Sequence, residues 1–330
     1  MDVAFLLDKY FKGAKKVSID VFDAQTLNTV YKDVVNAMTS HFEIEISVLQ
    51  ALSYCLYEMM DNVHIHSGKP LGTAMTYYDG SHHTLCILIA DDGMGIKASL
   101  SENEKYKNVT EAEALRLCLE DQITDGKGMG FGLYTTSRLV DSIGKKFILH
   151  SGSHKLVVED GKTSVVENGY WQGTLLYMEI GTAVEIDPGQ VVDHRTDVEE
   201  EYNESFIGTE ELESLWYDIQ SNFDSTVFEF SEYGTDFGTR DMGQKLRQKL
   251  LALINSGKKV IFDFTGVEVV SNSFADECIA KLLLEMSLEE LKNHVAFRGL
   301  NPLAERSILV ALQRRYNIIK NDKNKIQWQR

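Results

Sequence analysis

From residue 224 onward the chain alternates short apolar runs with amphipathic stretches. STVFEFSE is followed, after the loop YGTDFGTRD, by MGQKLRQKLLALINSG; KKVIFDFTG and VEVVSNSF are followed by ADECIAKLLLEM; HVAFRGL is followed by PLAERSILVALQRR. Short apolar runs suit strands, and a 3.6-residue period suits a helix that buries one stripe. Their alternation on this scale predicts a small α/β domain with helices packed on a sheet.

The first 185 residues have a different order. KKVSIDVFD (15–23) reads as a strand, and AQTLNTVYKDVVNAMTS (24–40) and ISVLQALSYCLYEMMDNVHIHS (46–67) read as helices. The longer helix carries an apolar stripe through Val48, Leu52, Cys55, Met59 and Val63. AMTYYDG and TLCILIADDG form a hairpin around DGSHH, EAEALRLCLE is a short helix, and GLYTTSRLVDSIG is another with Gly144 in the place of a C-terminal cap. KFILHSG, HKLVVEDG, TSVVENG and GTLLYMEI read as four strands separated by glycine turns. Near residue 186 the chain becomes acidic and weakly patterned, apart from a possible helix at EELESLWYDIQ. We read 1–185 as one domain, 186–223 as an acidic connection and 224–330 as a second domain; a solvated face of one larger domain is the alternative for the middle stretch. A length of 330 residues suits about two domains.

The net charge of −17 argues against nucleic acid as the main partner, because binding a phosphate backbone needs a basic face. It does not exclude a small polyanion held by a few local cations and a metal. Cys55, Cys86, Cys118 and Cys278 have no metal-site spacing and are expected to be free thiols of a reducing compartment. The stretch MDVAFLLDKYFKG has an acidic second residue and a short apolar run, unlike a signal peptide. No stretch approaches the roughly 18 apolar residues of a membrane span. A cytoplasmic location without membrane attachment is expected.

Three separated segments bear chemistry. On the long helix, Glu58, Asn62 and His66 are spaced by four and share one face. Asn62 can offer an oxygen to Mg²⁺ and Glu58 can accept a proton from a nucleophile; the plain alternative is the wet side of an ordinary helix. In ILIADDGMGI (87–96) an apolar strand runs into Asp91, where a carboxylate can accept from the amino group of a base. Gly93 and Gly95 would let a flat ring lie against backbone, or the segment is an ordinary strand-to-turn ending. In ITDGKGMGFGLYTTSRLV (123–140), Gly128, Gly130 and Gly132 precede a helix, with Lys127 beside them. Such a run lets backbone N–H groups approach phosphates at a helix N-terminus; a flexible surface loop would read the same. The spacing is neither a P-loop nor a dinucleotide G-x-G-x-x-G.

In this order the segments resemble the GHKL superfamily of ATP-binding domains, which includes gyrase, ATP-driven chaperones, MutL proteins and sensor histidine kinases. EMMDNVHIH resembles its N box, DDGMGI its G1 box and GKGMGFGL its G2 box, over roughly residues 15–185. The Glu-x-x-x-Asn-x-x-x-His form is most similar to the anti-sigma-factor serine kinases and the histidine kinases. The resemblance implies an α/β sandwich, one mixed sheet with helices on one face. It also implies ATP and Mg²⁺ as cofactors, with Glu58 as general base and Asn62 on the metal. Asp91, Gly93 and Gly95 would lie at the adenine, Lys127, Gly128, Gly130 and Gly132 at the phosphates, and His66 in the same site. No histidine-bearing dimerisation hairpin precedes the N box, which speaks against a sensor kinase.

The second domain resembles a STAS-like family of unknown function, through VIFDFTGVEVVSNSFADE. Where STAS anti-sigma antagonists carry a phosphorylated serine, this chain has Asn272, flanked by Ser271 and Ser273. These serines either cap the next helix or accept phosphate. The combined resemblance implies a bacterial Mg·ATP-dependent switch with a protein partner or a second protomer. Three functions compete: slow hydrolysis with nucleotide-gated partner binding through the STAS-like domain, serine/threonine protein kinase activity, and ATP sensing without turnover.

Overall fold

The computed structural model describes residues 2–120, 123–125, 132–187, 191 and 225–327. The chain divides into two compact units, Met1–Val191 and Val192–Arg330.

The first unit begins with α1 (Val3–Tyr10), whose N-terminus is capped by Asp2 accepting from the Phe5 amide at 3.1 Å. Strands β1 (Ser18–Phe22), β2 (Gly72–Asp79), β3 (Thr84–Asp91), β4 (Gly144–Glu159) and β5 (Lys162–Gly181) form one sheet, ordered β1-β2-β3-β5-β4. Between β1 and β2 run α2 (Leu27–His41) and α3 (Ile46–His66); between β3 and β4 run α4 (Ile96–Leu100), α5 (Glu111–Leu117) and α6 (Gly132–Ile143).

The α/β class expected from the sequence is present, with three corrections. Every strand pairing in this sheet is antiparallel rather than mixed. One helix between two strands returns the chain for a parallel pairing, whereas two helices, α2 and α3, lie between β1 and β2, and β2 runs antiparallel to β1. Helices also cover both faces. On one face α3 and α6 contact the sheet; on the other, Leu6 and Phe11 bury themselves with Met75, Leu88, Ala90, Leu175 and Tyr177. Alternation along β3 sends Ile87 and Ile89 one way and Leu88 and Ala90 the other, so this strand is apolar throughout.

The third correction concerns the glycines. The four expected strands are two long ones, joined by a turn at Asp160 and Gly161, both with positive φ. Gly152 (φ +63°) sits at a register shift in the β4–β5 pairing, so it marks a bulge within a strand rather than a turn between strands. Gly144 opens β4 directly after α6; a Cβ there would lie 2.6 Å from the Val140 carbonyl oxygen, so close approach demands this glycine rather than a helix cap.

The second unit holds a parallel sheet of β10 (Val295–Arg298), β8 (Lys259–Asp263) and β6 (Ser225–Glu229), in that order. A small parallel pair, β7 (Asp236–Phe237) and β9 (Val269–Val270), lies beside it in sequence. Its helices are α7 (Arg240–Ile254), α8 (Asn272–Cys278), α9 (Leu288–His294) and α10 (Pro302–Gln327). The core is aromatic: Phe230 stacks on Phe264 at 4.0 Å between centroids and meets Phe237, Phe262 and Phe274 edge-on. Phe230 is wholly buried, so Phe230→Ala is expected to lower the unfolding free energy of the full chain by about 3–5 kcal/mol, read from the urea midpoint at constant slope.

Candidate functional site

Helix α3 has no wet side at its centre, because every residue from Tyr54 to Asp61 is buried. It packs between α2 and α6. Glu58 is therefore 3% exposed, not on the solvated face that helical spacing alone allowed. A carboxylate in such surroundings is costly to keep unless a partner or a reaction uses it.

Gly132, the first residue of α6, lies directly against this face. A Cβ on it would sit 2.8 Å from Asn62 Nδ2 and 3.3 Å from the Glu58 Cβ. The missing side chain lets the N-terminus of this twelve-residue helix pack closely on both residues. Lys127, Gly128 and Gly130 lie outside the described residues.

The segment after β3 reaches the C-terminal end of the same helix. Met94 donates its amide to the Ser67 carbonyl at 2.8 Å, and a Cβ on Gly93 would collide with that carbonyl. Gly95 has φ +79°, and a Cβ there would lie 2.6 Å from Ser151 Oγ. Backbone packing alone thus accounts for both glycines.

Asp91, 3% exposed, ends β3. Its Oδ1 accepts from the amides of Gly93 at 2.8 Å and Thr174 at 3.3 Å. Burial pushes its carboxyl up to about 6 against the opposing pull of these two hydrogen bonds. His66 Nδ1 lies 2.6 Å from Oδ2 of the buried Asp125, which also accepts from Ser99 Oγ at 2.7 Å. His66 therefore ties α3 to the segment that leads toward the glycine run.

Sequence reading missed the β5 side of the site. Gln172 Nε2 donates to the Gly93 carbonyl at 2.6 Å, and Ser151 Oγ donates to the Gly173 carbonyl at 2.8 Å while accepting from the Ile96 amide at 2.9 Å. Gly173 (φ +90°) allows the backbone to press on Asp91, where a Cβ would lie 2.6 Å from Oδ1. The available signal was a glycine inside an apolar strand, WQGTLLYMEI, which marks close backbone approach. Among the described residues no group of three or more His, Cys, Asp or Glu forms a metal site, and no helix is long and apolar enough to cross a membrane.

In the second unit, Ser271 caps α8: its Oγ accepts from the Phe274 amide at 3.0 Å and donates to the Gly238 carbonyl at 2.7 Å. Ser271 and Asn272 are fully buried, and Ser273 accepts from Arg240 Nη2 at 3.2 Å. Behind them Asp276 pairs bidentately with Arg315, and Glu277 pairs with Arg247 at 2.9 Å. Residues 242–304 match the family model of a STAS-like domain of unknown function (DUF4325). The match runs from within α7 to the first turn of α10 and includes Ser271–Ser273 at the start of α8. No curated protein matches the chain.

Proposed function

We propose that the first unit binds Mg·ATP as a GHKL-type domain and turns it over slowly, and that nucleotide state governs partner binding by the STAS-like domain. The observation that carries this reading is the meeting of three separate motifs on one helix: Gly132 rests against Glu58 and Asn62, and Gly93 and Met94 rest on Ser67. The residues fit the ligand. Asp91 uses Oδ1 for backbone amides, which leaves Oδ2 for the adenine amino group. The N-terminus of α6 beside Asn62 suits phosphate. Asn62 would hold Mg²⁺, which takes hard oxygens and needs only one or two protein ligands alongside phosphates. Bound there, the ion would neutralise phosphate charge. Glu58 lies beside the same helix end, within reach of a proton released by a nucleophile.

Incubating the full chain with γ-labelled ATP tests the reading. Free phosphate accumulating with time supports hydrolysis. Label on a protein substrate indicates the kinase, and no release or transfer indicates a sensor. The burial of Ser271 and Asn272 disfavours label on the STAS-like loop itself.

Asp91 makes a pH prediction. Its folded pKa of about 6 is raised from 3.8, so the folded state binds the extra proton between those values. The unliganded protein therefore loses stability as pH rises from about 4 to 6, by on the order of 3 kcal/mol, and stays at the lower level above. Asp91→Asn should remove that slope and raise the melting temperature at pH 8 but not at pH 4. Because ionised Asp91 is the better acceptor for the adenine amino group, ATP affinity should fall as pH drops through 6 in the parent and not in Asp91→Asn. Titrations that show the same pH profile for both would remove Asp91 from the site.

A further inference from the structure

Strand β1 is an outer strand of the sheet, and among the described residues nothing pairs with its free edge. An unpaired edge is a row of N–H and C=O groups that can template another strand, and proteins usually blunt it with charge, proline or a bulge. On one face it is not blunted: Ile19 is 40% and Val21 56% exposed, and Asp20 between them lies on the opposite face by alternation. Both lie on the face covered further along by α1, since Ile19 pairs with Met75 and Val21 with Thr73. Val17, on the same side by alternation, packs against the α1 cluster.

The segment Lys15-Lys16-Val17-Ser18-Ile19-Asp20-Val21-Phe22-Asp23 is complementary to itself when reversed about Ile19. Antiparallel pairing with a second copy sets Lys15 opposite Asp23, Ser18 opposite Asp20, Val17 opposite Val21 and Ile19 opposite Ile19. Opposite charges meet at both ends, apolar residues meet on one face, and no like charges face each other. Such cross-strand pairs are the stabilising unit of a sheet. A parallel pairing in the same register would instead set Lys15 and Lys16 against Lys15 and Lys16, and Asp20 against Asp20.

We infer that β1 is a homodimerisation edge, with two copies of the chain joining their sheets antiparallel across a twofold axis at Ile19. This surface uses none of the residues proposed to hold ATP, so it stands or falls independently of that reading. The match is isologous, as a twofold contact requires.

Light scattering on the eluting full-length chain, with engineered cysteines as a second measure, tests this. The parent should elute at twice the chain mass. Ile19→Arg, at an exposed edge position, should elute as a monomer with an unchanged circular dichroism spectrum. Lys15→Glu should weaken the dimer by reversing one charge of each end pair. Directly opposed residues in an antiparallel pair have Cα atoms about 4.5–5.5 Å apart, within disulfide range. Ile19→Cys oxidised with copper-phenanthroline should therefore give a covalent dimer. Val21→Cys alone, with its two copies about 14 Å apart along the strands, should not. A mixture of Val17→Cys and Val21→Cys chains should cross-link. A monomeric parent, a dimer that survives Ile19→Arg, or cross-linking at position 21 equal to that at 19 would each overturn the inference.

Discussion

Glu58→Gln is expected to leave ATP bound and to lower its turnover about 10²–10⁴-fold, the usual worth of a general base. In hydrolysis the attacking water gives up a proton as its oxygen bonds to the γ-phosphorus and ADP leaves. In the proposed site Glu58, which lies beside Gly132, would take that proton. The amide of glutamine keeps the volume of a residue that is 3% exposed, so the fold should persist, but it cannot accept the proton. Glu58→Ala tests the same point with a cavity added. Loss of turnover with unchanged ATP affinity is the expected pairing. Turnover at the parent rate would show that another group, or none, acts as base.

Asn62→Ala carries the next largest effect. Here the expectation is a loss of affinity in the presence of Mg²⁺, on the order of 10–100-fold, with affinity in its absence nearly unchanged. The contrast with Glu58 matters, because Asn62 sits one turn further along the same face and shares the neighbour Gly132. A merely structural role would shift the melting temperature and both affinities together. A metal role moves only the Mg²⁺-dependent one.

Much of the second unit was legible because its pattern is local. Strands β6, β8 and β10 are short apolar runs and α7 is an amphipathic stretch that Gly257 (φ +80°) follows where the pattern ends, but α8 is buried along its whole length and stops at Cys278 instead of running through ADECIAKLLLEM, and the short α9 was not read. Less of the first unit could be read. Periodicity marks one apolar stripe on α3, but α2 and α6 pack against it and bury the opposite face too, so Glu58 looked solvated. Glycines at 152 and 173 read as turns because a bulge or a backbone press and a turn need the same residue. Asp125 went unnoticed because its partners, His66 and Ser99, are 59 and 26 residues away in sequence. The direction of β2 depended on counting the helices before it, a topological fact that no single segment carries.

The ordered motifs EMMDNVHIH, DDGMGI and GKGMGFGL could be read as a set before any geometry, and α3 is where the described parts of all three meet. Close packing accounts for Gly132 as it does for Gly93, Gly95 and Gly144; what sets Gly132 apart is that its neighbours are Glu58 and Asn62, the pair to which the proposal assigns the chemistry.

Isothermal calorimetry of ATP into the full-length protein, with Mg²⁺ and again with excess EDTA, tests the central proposal most directly. The account predicts one ATP per chain, bound at least tenfold more tightly with Mg²⁺, with GTP weaker than ATP and the Mg²⁺ gain lost in Asn62→Ala. No binding heat or displacement at any ATP concentration, or equal affinities for ATP and GTP that ignore Mg²⁺, would contradict it.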